Sequence, residues 1–334
     1  MTELGRPGYS RRRFISIVAG GAAAMAGPAV SAAENRYRWR GRALGAAVEI
    51  ILHAKNEHRA RELAMAGLDE IERLEKQFSL YRDDSALVHL NAAGRLDMPS
   101  HDMLALLDHA RYFGKLSDGA FDVSMQPLWR LHAEHFAQPD ADPNGPDPKA
   151  LARARRAVDY RAIDVRPEAV VLGKPGMALS FNGIAQGYIT DAVTRLFRAG
   201  GVRDVLVNLG EFRALGTNRQ AARPWQVGVN PASKSSTQMP MFELTNRALA
   251  TSAPSGTVFE ASGRHHHLFD PRTGTSADTT SSVTVMAESA VEADALSTAL
   301  SVVTPRRQAA IVAATKKVEA LVTSLHGVSV RLKS

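Results

Sequence analysis

Glu292-Ala-Asp294-Ala-Leu-Ser-Thr298-Ala-Leu300 sets a carboxylate and a hydroxyl four residues apart. Leu296, Leu300 and Val303 recur at i, i+4 and i+7, so the spacing predicts one buried helical stripe with Asp294 and Thr298 stacked a turn apart on another face. Two such oxygens are half of a hard-cation site. Mg²⁺ takes oxygen ligands and keeps positions open for substrate phosphates, so a backbone carbonyl and a pyrophosphate would complete it. The plainer reading of the same residues is an acid complementing a helix dipole beside an ordinary threonine.

A second stretch with chemical potential lies about a hundred residues earlier, Ser180-Phe-Asn-Gly183-Ile-Ala-Gln186-Gly187-Tyr188. It opens a helix carried by Tyr188, Ile189, Ala192, Val193, Leu196 and Phe197, and amides left unpaired at such a start suit an anion, although the glycine spacing is neither the Rossmann nor the Walker pattern. Ser117-Asp-Gly119-Ala120-Phe121-Asp122 offers a glycine turn and a flat aromatic face for a ring. Arg264-His265-His266-His267-Leu-Phe-Asp270 carries three consecutive histidines. Strand neighbours point to opposite faces, so the three cannot gather on one soft metal. One of them in a pocket beside Asp270, as a base or phosphate contact, stands level with three surface histidines.

The elements that must position these residues follow from periodicity. Tyr37 to Ile51 reads as strand, glycine turn and strand; Glu57 to Gln77 as a long amphipathic helix; Met103 to Leu116 as another. Asp84-Ser85 suits the cap of a short helix between them. Leu151 to Val158 reads as a basic helix, Ile163–Val165 and Ala169–Leu172 as brief strands, Val205 to Asn208 as a buried strand, and Trp225 to Val229 and Ser281 to Val285 as further strands. Strands in short neighbouring pairs, rather than in strict alternation with helices, predict an α+β fold: a single compact domain with mixed or antiparallel sheets flanked by helices.

With 334 residues and 45% apolar content the chain can bury a large core, and its net charge of +7 comes without the basic runs interleaved with aromatics that a nucleic-acid surface requires. It has no cysteine, which excludes disulfides, thiolate chemistry and a lipidated cysteine anchor. Residues 1–33 read as a twin-arginine export signal: Ser10-Arg11-Arg12-Arg13-Phe14, an apolar run broken by Gly20, Gly21, Gly27 and Pro28, and small residues at Val30-Ser-Ala-Ala33. That run is too short to span a bilayer, which needs about 20 residues. The expected product is a soluble periplasmic protein with one domain over residues 34–334.

Seven motifs stand in order: Phe78-Ser-Leu-Tyr81 with Asp84-Ser85 and Leu90-Asn91, Gly119-Ala-Phe-Asp122, Gly183-Ile-Ala-Gln-Gly187-Tyr188 with Asp191, Val207-Asn-Leu-Gly210, Ala250-Thr251-Ser252, His267-Leu-Phe-Asp270-Pro-Arg-Thr-Gly274, and Ala293-Asp-Ala-Leu-Ser-Thr298. In this order and spacing the chain resembles the ApbE-like FAD:protein FMN transferases. The resemblance implies an Mg²⁺-dependent enzyme that takes FAD, moves its FMN half to a Thr or Ser hydroxyl of a target flavoprotein and releases AMP. It implies metal ligands at the Gly183 carbonyl, Asp294 and Thr298, and FAD contacts at Leu44, Tyr81, Ala120, Phe121, Asp122, Gln186, Thr251 and His267. Asp294 and His267 are the two residues it offers for catalysis.

Three positions depart from the family pattern: Ser180 stands for the usual aspartate, Gln186 for the usual lysine, and Glu211 for the second glycine of a Gly-Gly-Asp. A lost lysine beside a pyrophosphate removes a charge-assisted contact of about 1.5–3 kcal/mol. Gln186, with Phe181-Asn182 and Gly210-Glu211, looks like the branch serving the membrane flavoprotein of nitrous-oxide respiration. Two other functions use the same residues: a periplasmic FAD pyrophosphatase, with water as the nucleophile, and a non-catalytic FAD-binding or storage protein.

Overall fold

The structure is a computed structural model that describes residues 36–43, 46–229 and 239–334; residues 1–33, read above as an export signal, and Leu44 lie outside them. Strands β1 (Arg36–Ala43) and β2 (Ala46–His53) form the opening hairpin, with Arg36 opposite His53. Helix α1 (Glu57–Phe78) starts where the Asn56 side chain accepts the Arg59 N–H, and it buries Leu63, Ile71, Leu74 and Phe78 on one face. Ser85 caps α2 (Ala86–Ala93), its Oγ accepting the Val88 N–H at 3.1 Å, and Gly94 ends that helix in the left-handed conformation.

Next come β3 (Arg95–Asp97), α3 (His101–Leu116), α4 (Gln126–Phe136), α5 (Pro148–Arg156), β4 (Ile163–Val165) and β5 (Ala169–Leu172). The short α4 is the one helix of this half that periodicity does not announce; Pro127 in its first turn is its signal. Then follow α6 (Ala185–Ala199), β6 (Val205–Asn208), β7 (Phe212–Leu215), β8 (Trp225–Gly228), β9 (Met241–Leu244), β10 (Ala248–Ser252) and β11 (Thr280–Ala287). Helices α7 (Ala290–Ser301) and α8 (Pro305–Ala313) and strands β12 (Glu319–Ser324) and β13 (Ser329–Lys333) close the chain.

Eight strands make one sheet in the order β1-β2-β6-β7-β10-β11-β12-β13, every neighbouring pair antiparallel. β3, β5 and β4 form a small second sheet, and β8 and β9 a separate hairpin. Strand alternation divides the two faces of the large sheet. Ile50 and Leu52 of β2 join the core with the helices, while Ile51 between them joins Leu206, Phe212, Trp225, Phe242 and Leu249 beneath the β8–β9 hairpin.

Helix α7 departs from the expected single stripe. Besides Leu296 and Leu300, it buries Ala290, Val291, Ala293, Asp294, Ala295, Ser297, Ala299 and Ser301. Small residues all round let α6, β10 and β11 pack closely against it, so Asp294 sits inside the molecule rather than on a wet face.

Candidate functional site

The position of Asp294 is fixed at the crossing of α6 and α7. The Asp191 carboxylate of α6 accepts the Ala290 and Val291 N–H groups, each at 3.0 Å, and so caps α7; Arg213 Nε lies 3.3 Å from it. Gly187 makes the close approach possible, since a Cβ there would stand 2.3 Å from the Ala290 carbonyl oxygen. Across this contact the Gly187 N–H donates to Asp294 Oδ2 at 3.0 Å. Asp294 is only 4% exposed, and burial raises its pKa to about 7 against the pull of that hydrogen bond.

Gly183 lies directly against Thr298: a Cβ on it would meet Thr298 Oγ1 at 2.9 Å. Ser252 Oγ, at the end of β10, is 3.4 Å from the same hydroxyl and 2.7 Å from Ser297 Oγ. Gly183, Thr298 and Asp294 line one cavity of about 280 Å³. The side-chain donors among these residues are a carboxylate and a hydroxyl, oxygens of the kind a hard cation prefers.

Glu211, between β6 and β7, shares the cavity and is 4% exposed. It takes a hydrogen bond from the Thr251 backbone, while its Oε2 is buried with no partner. Burial, and then the Asp294 charge, push its pKa well above the ordinary carboxylate value. Two buried carboxylates with one oxygen unpaired are relieved by a proton or a cation, so the donor set fits a divalent ion. An acid at the bend between two buried strands was the sequence signal for this residue, which the family comparison marks only as a departure. Gln186 supports the same bend: its Nε2 donates to the Leu209 carbonyl at 3.3 Å and lies where a Cβ on Gly210 would be, 2.6 Å away.

The proposed FAD contacts behave differently from one another. Tyr81, half-exposed at 53%, stands on the cavity wall, its hydroxyl bonded to the Asn182 side chain. Ala120 and Phe121 also line it, but Phe121 is 3% exposed and packs edge-on to Phe113, with ring centroids 6.4 Å apart, so it is a core side chain with little free face to offer a flavin. Asp122 holds its own loop: Oδ1 accepts from Ser124 N and Oγ at 2.8 and 2.6 Å, and Oδ2 from Tyr160 N at 3.0 Å. Thr251 lines the cavity with Oγ1 2.9 Å from Thr284 Oγ1.

Of the three histidines, only His267 lines the cavity. Its Nδ1 donates to the Thr257 carbonyl at 3.1 Å, which leaves Nε2 as an acceptor, and burial lowers its pKa to about 4, so it is neutral near pH 7. Asp270 is not its orienting partner, being paired with Arg272 at 2.6 Å. His266 bonds the Ala277 carbonyl, and His265 packs on Phe136. Met125 and Trp129, at the start of α4, complete a part of the wall that the sequence reading did not include.

The chain matches the model of the ApbE family over residues 44–322. It is 32% identical over 283 residues to the FAD:protein FMN transferase of Treponema pallidum, covering 77% of this chain and 76% of that protein. Among solved structures, the ApbE protein of Thermotoga maritima superposes with a TM-score of 0.76 at 26% identity, over 89% of this chain and 97% of the other. The flavin transferase ApbE of Vibrio cholerae gives 0.76 over 90% and 97% at 23% identity, a likeness of fold. A sequence match across most of the chain, on the same antiparallel scaffold, leaves one assignment: the chain is an enzyme of the ApbE family.

Proposed function

We propose that this chain transfers the FMN half of FAD to a Thr or Ser hydroxyl of a target flavoprotein and releases AMP, with Mg²⁺ held by the Gly183 carbonyl, Asp294 and Thr298. The observation that carries this reading is the meeting of those three groups in one cavity with Tyr81 and a neutral His267. It is supported by relatives that carry the name FAD:protein FMN transferase. In balanced form, the acceptor oxygen bonds to the phosphorus on the FMN side. The bond from that phosphorus to the bridging oxygen breaks, AMP departs with that oxygen, and the hydroxyl proton passes to a base.

Held by the Gly183 carbonyl, Asp294 and Thr298, a divalent ion would supply neutralisation of the phosphate charge. The chain's own residues do the rest. Gly187 N–H fixes the Asp294 carboxylate, and Tyr81 borders the space for a ring. His267, neutral with Nδ1 tied to a carbonyl, is in the form that accepts a proton at Nε2. Residues 1–33 direct export to the periplasm, where the acceptor is a flavoprotein such as the membrane subunit of nitrous-oxide respiration.

Incubating the mature protein with FAD, Mg²⁺ and a Thr-bearing acceptor tests the reaction. The expected result is AMP in step with flavin fixed covalently to the acceptor. Free FMN with AMP and an unlabelled acceptor would make the chain a pyrophosphatase; intact FAD would make it a binding protein.

A further inference from the structure

The bend that carries Glu211 does not depend on its side chain, which accepts the Thr251 N–H of β10. Its bend is held by the Asn208 side chain, whose Oδ1 accepts the Gly210 N–H at 3.1 Å, and by the Leu209 N–H bonded to the Glu211 carbonyl oxygen at 3.1 Å. The Glu211 side chain nevertheless lies inside the cavity at 4% exposure, with Oε2 unpartnered. A buried carboxylate oxygen with no donor forgoes the hydrogen bonds it had in water, so its presence here calls for a ligand. The charges lining the cavity sharpen the point. Asp122, Glu211 and Asp294 are acids, and no lysine or arginine lines it among the described residues. A dianionic pyrophosphate cannot enter such a space without a cation, and the position where a lysine would have supplied one holds Gln186, bonded to the bend that carries Glu211.

We propose that Glu211 is a second carboxylate ligand of the divalent cation, sharing it with Asp294, so that this chain holds its metal with two acids where the family pattern has one acid and a lysine nearby. The proposal rests on the site described under the proposed function and adds a ligand to it. Glu211 lines the shared cavity with its Oε2 buried and unpartnered, Thr251 N–H anchors the carboxylate, and Gly210, with φ of +107°, makes the turn that leads into residue 211. Two carboxylates balance a divalent ion's charge, and among the described residues lining the cavity no side chain offers the phosphates another cationic centre. The metal is therefore bound before FAD, and firmly.

The test is equilibrium binding of Mn²⁺, as a spin-active substitute for Mg²⁺, to the mature protein without FAD, read by the loss of the free-ion resonance. Glu211→Gln is the isostere of a protonated glutamate: it keeps the acceptor for Thr251 N–H and removes only the charge. Mn²⁺ affinity should fall at least tenfold in Glu211→Gln and in Asp294→Asn, and the rise in melting temperature on adding Mg²⁺ should shrink in both. Glu211→Gly, which restores the residue of the family pattern, should show the same loss, and it covers the case in which the glutamine variant folds poorly. Parental Mn²⁺ affinity in a folded Glu211→Gln or Glu211→Gly overturns the proposal, leaving Glu211 a neutral structural acid. Failure of the transferase reading looks different: the parent would bind Mn²⁺ through both carboxylates and still label no acceptor.

Discussion

Gly187→Ala puts the α6–α7 crossing to a quantitative test. An alanine Cβ would sit 2.3 Å from the Ala290 carbonyl oxygen, 2.6 Å from its carbon and 2.8 Å from Val291 Cα, all of them backbone atoms that cannot rotate aside. Ordinary contact begins at 3.4 Å, so the helices must part by about 1 Å. Overpacking of this kind costs about 1–3 kcal/mol. The Gly187 N–H to Asp294 bond, now 3.0 Å, would lengthen beyond hydrogen-bond range and leave a buried amide unpaired, at about 1–3 kcal/mol more. The melting temperature should therefore fall by roughly 5–10 °C. Because Asp294 moves with α7, a misplacement of about 1 Å should lower the transfer rate on the order of a hundredfold. Gly183→Ala is the control. Its Cβ meets Thr298 Oγ1 at 2.9 Å, a side-chain atom that can turn away, so stability should change little while the methyl crowds the cation donors and activity falls. Circular-dichroism melts and in-gel flavin fluorescence of a Thr-bearing acceptor read both quantities. A parental melting temperature and rate in Gly187→Ala, or a larger stability loss in Gly183→Ala, would refute the reasoning.

Asp294→Ala should fold, since it removes a like charge from beside Glu211, yet it should label an acceptor at least about a thousandfold more slowly, with Thr298→Ala losing less because water can replace a neutral hydroxyl; parental labelling by Asp294→Ala, or by the parent in excess chelator, contradicts it. Tyr81→Ala should weaken FAD binding by about 0.5–1.5 kcal/mol with the fold intact. Phe121→Ala, by contrast, should destabilise the protein by about 3–5 kcal/mol because its ring is core, and titration with parallel melts separates the two. Acid should charge buried histidines in a defined window. His132 is buried against Phe269 and His265 with Nδ1 on the Leu128 carbonyl, and burial lowers its pKa to about 4, as for His267. A depressed histidine stabilises above its unfolded value and loses this as pH falls from about 6.5 toward 4, whereas Asp294 and Glu211, whose pKa values are raised, gain on protonation over the same range; His132→Phe should therefore lose less stability, or gain more, than the parent between about pH 6.5 and 4, measured by denaturant unfolding at each pH. Replacing Arg11, Arg12 and Arg13 together by lysine should abolish export; unchanged periplasmic levels would remove the twin-arginine reading.

Local pattern alone determined many of the elements, though not α4, α8 or the closing strands β12 and β13. The 3.6-residue period announced α1 and α6 to within a few residues, Ser85 announced the start of α2, and short apolar runs bounded by glycine announced β1, β2 and β6. The chemistry of Asp294 and Thr298 was legible too, because their four-residue spacing stacks them on any helix. What surrounds them was decided by tertiary structure. Gly187 and Asp294 are 107 residues apart in sequence and meet only because two helices made of small residues can cross at contact distance. That crossing buries α7 on all sides, which periodicity assigned to a single stripe, and it brings Glu211 into the cavity with Asp294. The choice of His267 over His265 and His266, the use of Asp122 within its own loop and the burial of Phe121 have the same origin. Residue type and spacing are local properties, whereas desolvation, hydrogen-bond partners and the pKa values they set belong to the packed environment, which segments distant in sequence build together.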